Sequence, residues 1–407
     1  QLVPELRGKP IGVLAVMAET TCCIAASYEA KAFGVKTGTI VSEARKLCPD
    51  IIFVQARPPL YVEYHHKLIE IVESCTHVEK VLSIDEMVCK LTGSQQQPEN
   101  ALKLAASIKR AIAKNAGDYI KCSIGIAPNT YLAKVASNLQ KPDGCVFIAP
   151  HELPQRLYGL KLRDLNGIGK QMEARLNRYK ITTVEQLYAA NRQQLQTAWG
   201  SIEGERIYDK LRGLEPYYVK NARSSLGHSH VLPPDLRHPE GARQVLHRLT
   251  QKAGMRLRKQ GFYATAMQVF VRCDHRWQRE SGGERYAHVG ETQDTGFLLH
   301  TLDQLWFSGL HLLQGPKAVG VQLCGLVLAS QHTPDLFDSL EDEQAPSAQT
   351  KQNHEAHRDR ARLMSAMDVL NRTYGKNAVY FASAHHALDA APMRIAFNRI
   401  PDLETER

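Results

Sequence analysis

No apolar run in this chain approaches the roughly 20 residues that a membrane-crossing helix requires, so no helical span and no membrane partner are expected. The opening residues Gln1–Pro10 carry no signal-peptide core and no initiator methionine, the pattern of an incomplete or processed start. The nine cysteines include no Cys-x-x-Cys pair. That spacing argues against a disulfide framework or a zinc knuckle and predicts reduced, mostly buried thiols in a cytoplasmic protein. Large apolar residues are nearly missing from 338–358, which reads as a disordered linker. No tandem repeat is found.

What the chain does have is length and positive charge. A chain of 407 residues is too long for one hydrophobic core and predicts roughly two to four domains. Lysine and arginine number 51 against 42 acidic residues, a formal net charge of +9. That balance permits a polyanionic partner such as nucleic acid but does not require one.

The first half alternates between the two periodicities. Residues 10–16 and Ile51–Val54 read as strands. Short helices follow Ile24 and span Ser42–Leu47. Tyr61–Cys75 has helical spacing with Tyr64, Leu68, Ile71 and Val72 on one face, and Leu102–Ile112 reads as another helix. Strands alternating with helices predict an α/β layer. From Asp164 to Gly213 the pattern becomes short helices broken by glycines. After a linker, a strand–helix–strand–strand–helix–strand order runs to Ser330. Its helix aligns Ala242, Val245, Leu246, Leu249 and Ala253, and its strand at 265–273 alternates Met267, Val269 and Val271 with Gln268 and Arg272.

Two segments carry chemistry. Val81-Leu-Ser-Ile-Asp85-Glu86 ends a strand-like run in adjacent carboxylates. Successive strand side chains point to opposite faces, so both can serve one site only at a strand end or distortion; an exposed pair in a hairpin turn is the alternative. Downstream lies Ser123-Ile-Gly-Ile-Ala-Pro-Asn-Thr-Tyr-Leu-Ala-Lys134, continuing to Lys141-Pro142-Asp143-Gly144. Lys134 and Lys141 are seven apart, two turns of one predicted helix and hence one face. Carboxylates that can hold Mg²⁺, followed by lysines that can meet phosphate, suit phosphoryl transfer.

In this order the two segments resemble the palm of Y-family, lesion-bypass DNA polymerases. The resemblance implies an α+β, multidomain right-hand fold. Its parts would be fingers at 1–57, palm at 58–148, a helix-hairpin-helix thumb at 149–217, a linker at 218–224 and a βαββαβ little finger at 225–331. A disordered linker at 332–358 and a C-terminal tail at 359–407 would complete the chain. The resemblance further implies two Mg²⁺ ions, with Asp85 bridging both and Glu86 on the catalytic one. The family's further metal-binding Asp, on a first strand, is expected upstream of Gln1, so two of three carboxylates are present here. Tyr28 and Lys31 match the nucleotide-binding pair, with Lys where the family usually has Arg, a bidentate phosphate binder. Arg45 is the neighbour that could compensate. Lys141 would meet the triphosphate, and Lys134 the DNA or the palm surface.

Leu165-Asn-Gly167-Ile-Gly169-Lys170 resembles a helix-hairpin-helix, whose glycines let backbone N–H groups reach a DNA phosphate. Trp199-Gly200-Ser-Ile-Glu-Gly204 is a candidate second turn. In the little finger, Arg272 is the DNA-binding candidate. The basic run Arg243, Arg248, Lys252, Arg256, Arg258 and Lys259 is expected to be a solvated face. Thr333-Pro-Asp-Leu336-Phe337 resembles a sliding-clamp peptide. The tail from Met393 resembles the catalytic subunit of the bacterial SOS mutagenic polymerase. The implied partners are primer–template DNA, dNTP, the sliding clamp and SOS accessory proteins, in the nucleoid region of the cytoplasm. Two rivals stay open: a non-catalytic DNA-binding relative recruited by the clamp, and a cyclase-type palm enzyme acting on free nucleotides.

Overall fold

Helix starts in the first half are set by short polar side chains. Ser27 accepts a hydrogen bond from the N–H of Ala30, Asn129 from Leu132, Thr183 from Gln186 and Asn191 from Gln194, each satisfying a donor that the first helical turn leaves unpaired. The computed structural model describes residues 1–19, 21–217, 224–273, 282–332, 348–375 and 377–388. Two compact units divide between 219 and 220.

In the first unit, β1 (Ile11–Leu14) pairs antiparallel with β2 (Cys23–Ala26) and parallel with β3 (Ile52–Gln55). Between β2 and β3 come α1 (Tyr28–Ala32) and α2 (Val41–Leu47). Leu14, Cys23, Ala30, Val41 and Ile51 form the core of this part. Next, α3 (Pro58–Glu73) and α4 (Pro98–Asn115) pack on an antiparallel hairpin of β4 (Val78–Ser83) and β5 (Glu86–Cys89). Ile71, Val72, Val78 and Ile112 are buried between them. Tyr64 and Leu68, expected on the same face of α3, are only half-buried, and Val62 and His65 take the deeper positions.

A parallel pair follows, β6 (Ile124–Ile126) and β7 (Cys145–Phe147), joined by α5 (Thr130–Leu139). The expected α/β layer is thus three small sheets. Short helices complete the unit: α6 (Gln155–Tyr158), α7 (Lys170–Arg178), α8 (Val184–Ala189), α9 (Arg192–Trp199) and α10 (Glu203–Leu211). Their core includes Leu132 and Val135 of α5. The helix that bears Lys134 is therefore braced by the helical module as well as by its own strands.

The second unit contains β8 (Ser225–Val231), α11 (Pro239–Lys259), β9 (Phe262–Cys273), β10 (Gly282–Thr292), α12 (Thr295–Phe307) and β11 (Pro316–Leu328). The sheet order is β10-β9-β11-β8 with every pairing antiparallel. The alternation in β9 holds: Met267, Val269 and Val271 are buried under α11 while Arg272 faces solvent. Leu246 of α11 is fully buried in this core. Leu246→Ala is expected to destabilise the unit by about 3 kcal/mol through lost burial and a residual cavity, read as a lower denaturant midpoint by circular dichroism.

The C-terminal region departs from expectation. A helix, α13 (Ala348–Thr373), begins inside the stretch read as linker. Its far end and residues 377–387 are fastened to α11. Arg258 donates to both carboxylate oxygens of Asp368 at 2.7 and 2.8 Å, Arg248 donates to Asn377, and the Phe381 N–H donates to Gln251 at 3.0 Å. The basic run on α11 is accordingly no solvated face: Arg248, Lys252 and Arg256 are buried. Arg243 is taken up by Asp303 at 2.8 Å. At the other end of β11, His332 stacks on Tyr263 with ring centres 3.8 Å apart and bonds Glu291 at 2.5 Å. Among the described residues no helix is long and apolar enough to cross a membrane.

Candidate active site

The register of β4 and β5 pairs Ser83 with Glu86, leaving Ile84 and Asp85 as a two-residue turn. A register irregularity between Val81 and Ser83 breaks strict alternation there, which frees neighbouring side chains from opposite faces. Both geometries left open by the sequence occur together: Asp85 lies in the turn and Glu86 opens a strand. Asp85 is exposed and Glu86 half-buried. The Ser83 hydroxyl donates to Asp85 Oδ1 at 2.7 Å and accepts from the Asp85 N–H at 3.4 Å. Glu86 accepts a hydrogen bond from Lys134 Nζ, so α5 and the hairpin are joined by an ion pair.

Lys141 does not share a helix with Lys134. Helix α5 stops at Leu139, because Pro142 biases the residue before it away from helical dihedrals. The segment nevertheless turns back to the site. Burial holds the Lys141 ammonium below its ordinary value; Lys134 and Lys31 push the same way, and Glu86 and Asp85 oppose them. Five of the expected residues are therefore within electrostatic reach of one another. Tyr28 joins through Lys31, whose ammonium lies 4.2 Å from the Tyr28 ring centre. Arg45 is otherwise engaged, with Glu19 at 3.2 Å and over the Phe53 ring at 5.0 Å.

Two residues without a sequence signal support this arrangement. Lys109 of α4 donates to Cys122 O at 2.8 Å, Asp143 O at 2.6 Å and Asp143 Oδ1 at 2.7 Å, pinning the turn after Lys141. Buried His65 of α3 bonds the Ile84 carbonyl at 2.7 Å. Single polar residues on amphipathic helices carry no distinguishing pattern, and only the fold reveals their partners.

Among the described residues, no cluster of three or more His, Cys, Asp or Glu side chains could hold a metal. The Asp85–Glu86 pair still fits Mg²⁺, which is commonly held by one or two carboxylates with substrate phosphates and water completing its shell. The donors are hard oxygens at a solvent-accessible turn, and Glu86 already draws a cationic group, Lys134, to itself.

The remaining candidates lie elsewhere. Gly167 adopts φ +87°, in the left-handed region, and Gly169 is the N-cap of α7 without a side-chain cap, so Lys170 opens a helix whose first turn has none. Gly200 has φ +67° and ends α9, forming the second expected turn. Arg272 stands on the open face of the second unit's sheet. Leu336 and Phe337 fall outside the described residues, as does the tail from Met393.

Residues 1–138 match the impB/mucB/samB family, 223–336 its C-terminal domain, and 163–215 the thumb domain of DNA polymerase iota. A protein named DNA polymerase IV from Moorella thermoacetica is 29% identical over 395 residues, covering 94% of this chain and 91% of that one. A namesake from Pelotomaculum thermopropionicum is 30% identical over 345 residues, covering 83% and 84%. Among solved structures, a Y-family DNA polymerase chimera of Dbh and Dpo4 superposes with a TM-score of 0.66 at 23% identity, over 80% of this chain and 94% of that one. Sequence relatives and fold agree: the chain belongs to the Y family of DNA polymerases.

Proposed function

We propose that this protein is a template-directed DNA polymerase for translesion synthesis, extending a primer 3′-hydroxyl with dNTPs. One observation carries the reading: Lys31, Asp85, Glu86, Lys134 and Lys141, drawn from separate elements, share one electrostatic neighbourhood. The primer oxygen forms a bond to the α-phosphorus of the nucleotide, the α–β phosphoanhydride bond breaks, pyrophosphate departs, and the hydroxyl proton passes to solvent. Asp85 and Glu86 would hold two Mg²⁺ ions, which supply Lewis acidity at the α-phosphate and ease loss of the hydroxyl proton. Lys31 and Lys141 hold the triphosphate and offset the charge that develops on the leaving pyrophosphate. Tyr28 lies beside Lys31 and packs on the nucleotide. Lys134 pairs with Glu86; with a cation held by that carboxylate, its ammonium would be left to meet DNA phosphate.

The N-terminal turn of α7 after Gly167 and Gly169, with Lys170, serves as a phosphate anchor for the duplex. Arg272 adds a phosphate contact that carries no sequence information. Arg272→Ala is expected to lower the salt dependence of DNA affinity by about one unit of slope, equally for unrelated sequences; an unchanged slope removes Arg272 from the interface. Leu336 and Phe337 are proposed to engage the sliding clamp, SOS accessory proteins to assist, and the protein to work at the nucleoid in the cytoplasm.

The test is primer extension by the full-length protein with Mg²⁺, on undamaged and abasic templates. Extension on both is expected. Salt-sensitive DNA binding without extension would instead indicate a non-catalytic platform, and turnover of free nucleotides unaffected by duplex DNA a cyclase-type enzyme.

A further inference from the structure

His65 is one of few polar side chains buried in the first unit, at 2% exposure. It lies on the inner face of α3, three residues before Leu68 and seven before Val72, so it continues the stripe that packs on the β4–β5 hairpin. It meets the backbone of the turn, where its Nδ1 lies 2.7 Å from the carbonyl of Ile84, the residue between Ser83 and Asp85.

A carbonyl oxygen only accepts, so Nδ1 must carry the proton. Burial holds the imidazole below its ordinary value, in keeping with the neutral Nδ1–H tautomer. The Ser83 hydroxyl grips the same turn from inside, through Asp85. Among the described residues, the turn's glycine-free loop has no positive-φ residue to define its shape. These two side-chain bonds do so instead.

We propose that His65 is a positioning residue for the metal-binding turn: by holding the Ile84 carbonyl it fixes the direction in which Asp85 and Glu86 present their carboxylates. The inference rests on the polymerase reading for what those carboxylates bind, though not for the bond itself. A hydrophobic residue at 65 would fill the space and leave the turn free to rotate. Asparagine would keep an N–H near the place of Nδ1.

The test titrates Mn²⁺, followed by its electron paramagnetic resonance, into full-length protein with a non-extendable primer–template and nucleotide. Primer extension is measured in parallel across Mg²⁺ concentrations. His65→Leu is expected to weaken Mn²⁺ binding and raise the Mg²⁺ needed for half-maximal rate about 10-fold, the scale of lost support behind metal ligands. His65→Asn should remain within about 3-fold of wild type on the same scale. His65→Met, a second filler without a donor, should behave as Leu does and replaces it if Leu does not fold. Wild-type Mn²⁺ binding in Leu or Met, or an equal loss in Asn, overturns the role, since a merely structural residue would not separate donors from fillers. Wild-type protein that binds Mn²⁺ with this dependence on residue 65 but extends no primer would uphold His65 and overturn the polymerase reading.

Discussion

Asp85→Ala is expected to slow primer extension about 1000-fold. In the proposed mechanism the carboxylate would help hold the ions that offset charge at the α-phosphate, an effect worth several kcal/mol, and about 4 kcal/mol corresponds to three decades of rate. The loss should be confined to chemistry. Asp85 is exposed in a turn and its side chain bonds only to Ser83 Oγ among the described contacts, so the variant should match wild-type stability to within about 0.5 kcal/mol. DNA affinity, for which Lys170 and Arg272 are the proposed contacts, should persist. Single-turnover kinetics separate these quantities. Extension within about 3-fold of wild type, a difference under 1 kcal/mol, would remove Asp85 from the mechanism.

A second large effect is expected at a residue that touches no substrate. A Cβ on Gly125 of β6 would stand 2.0 Å from the Ala133 carbonyl oxygen and 2.3 Å from the Ser137 nitrogen. Both are backbone atoms of α5, which cannot rotate aside. Gly125→Val must therefore push the helix outward, and Lys134, the residue after Ala133, moves with it away from Glu86. Misplacement by about 1 Å can cost about 100-fold in rate, and overpacking should destabilise by about 2 kcal/mol. Gly159→Ala is the control, since its added methyl meets no atom within 4 Å. Comparable activity for the two variants would show that the tight fit of β6 against α5 does not set the position of Lys134.

The contrast between those glycines bears on what a sequence can reveal. Periodic burial is legible because many residues repeat the same signal. Met267, Val269 and Val271, and the stripe from Ala242 to Ala253, fall where alternation and helical spacing place them. The Asp85–Glu86 pair and the lysine-bearing segment were legible through their order along the chain. The shared helix face expected for Lys134 and Lys141 fails, because the helix ends at Leu139 before Pro142, while Lys141 still comes within electrostatic reach of the carboxylates. The fastening of the C-terminal region was hidden because it depends on single polar partners, Asp368 for Arg258 and Asn377 for Arg248, far apart in sequence and set in polar surroundings. The charge run on α11 looked like a wet surface for the same reason. His65 and Lys109 gave no signal, since one polar residue has no period.

A mooring at the end of β11 limits how far the proposed clamp-binding pair can travel. His332 is stacked on Tyr263 and bonds Glu291. Leu336 and Phe337 stand four and five positions beyond it in sequence, so at about 3.5 Å per residue they can reach no more than about 18 Å from that anchor. A clamp holding the pair would keep the second unit on a short leash, and loosening the His332 stack would let that leash out.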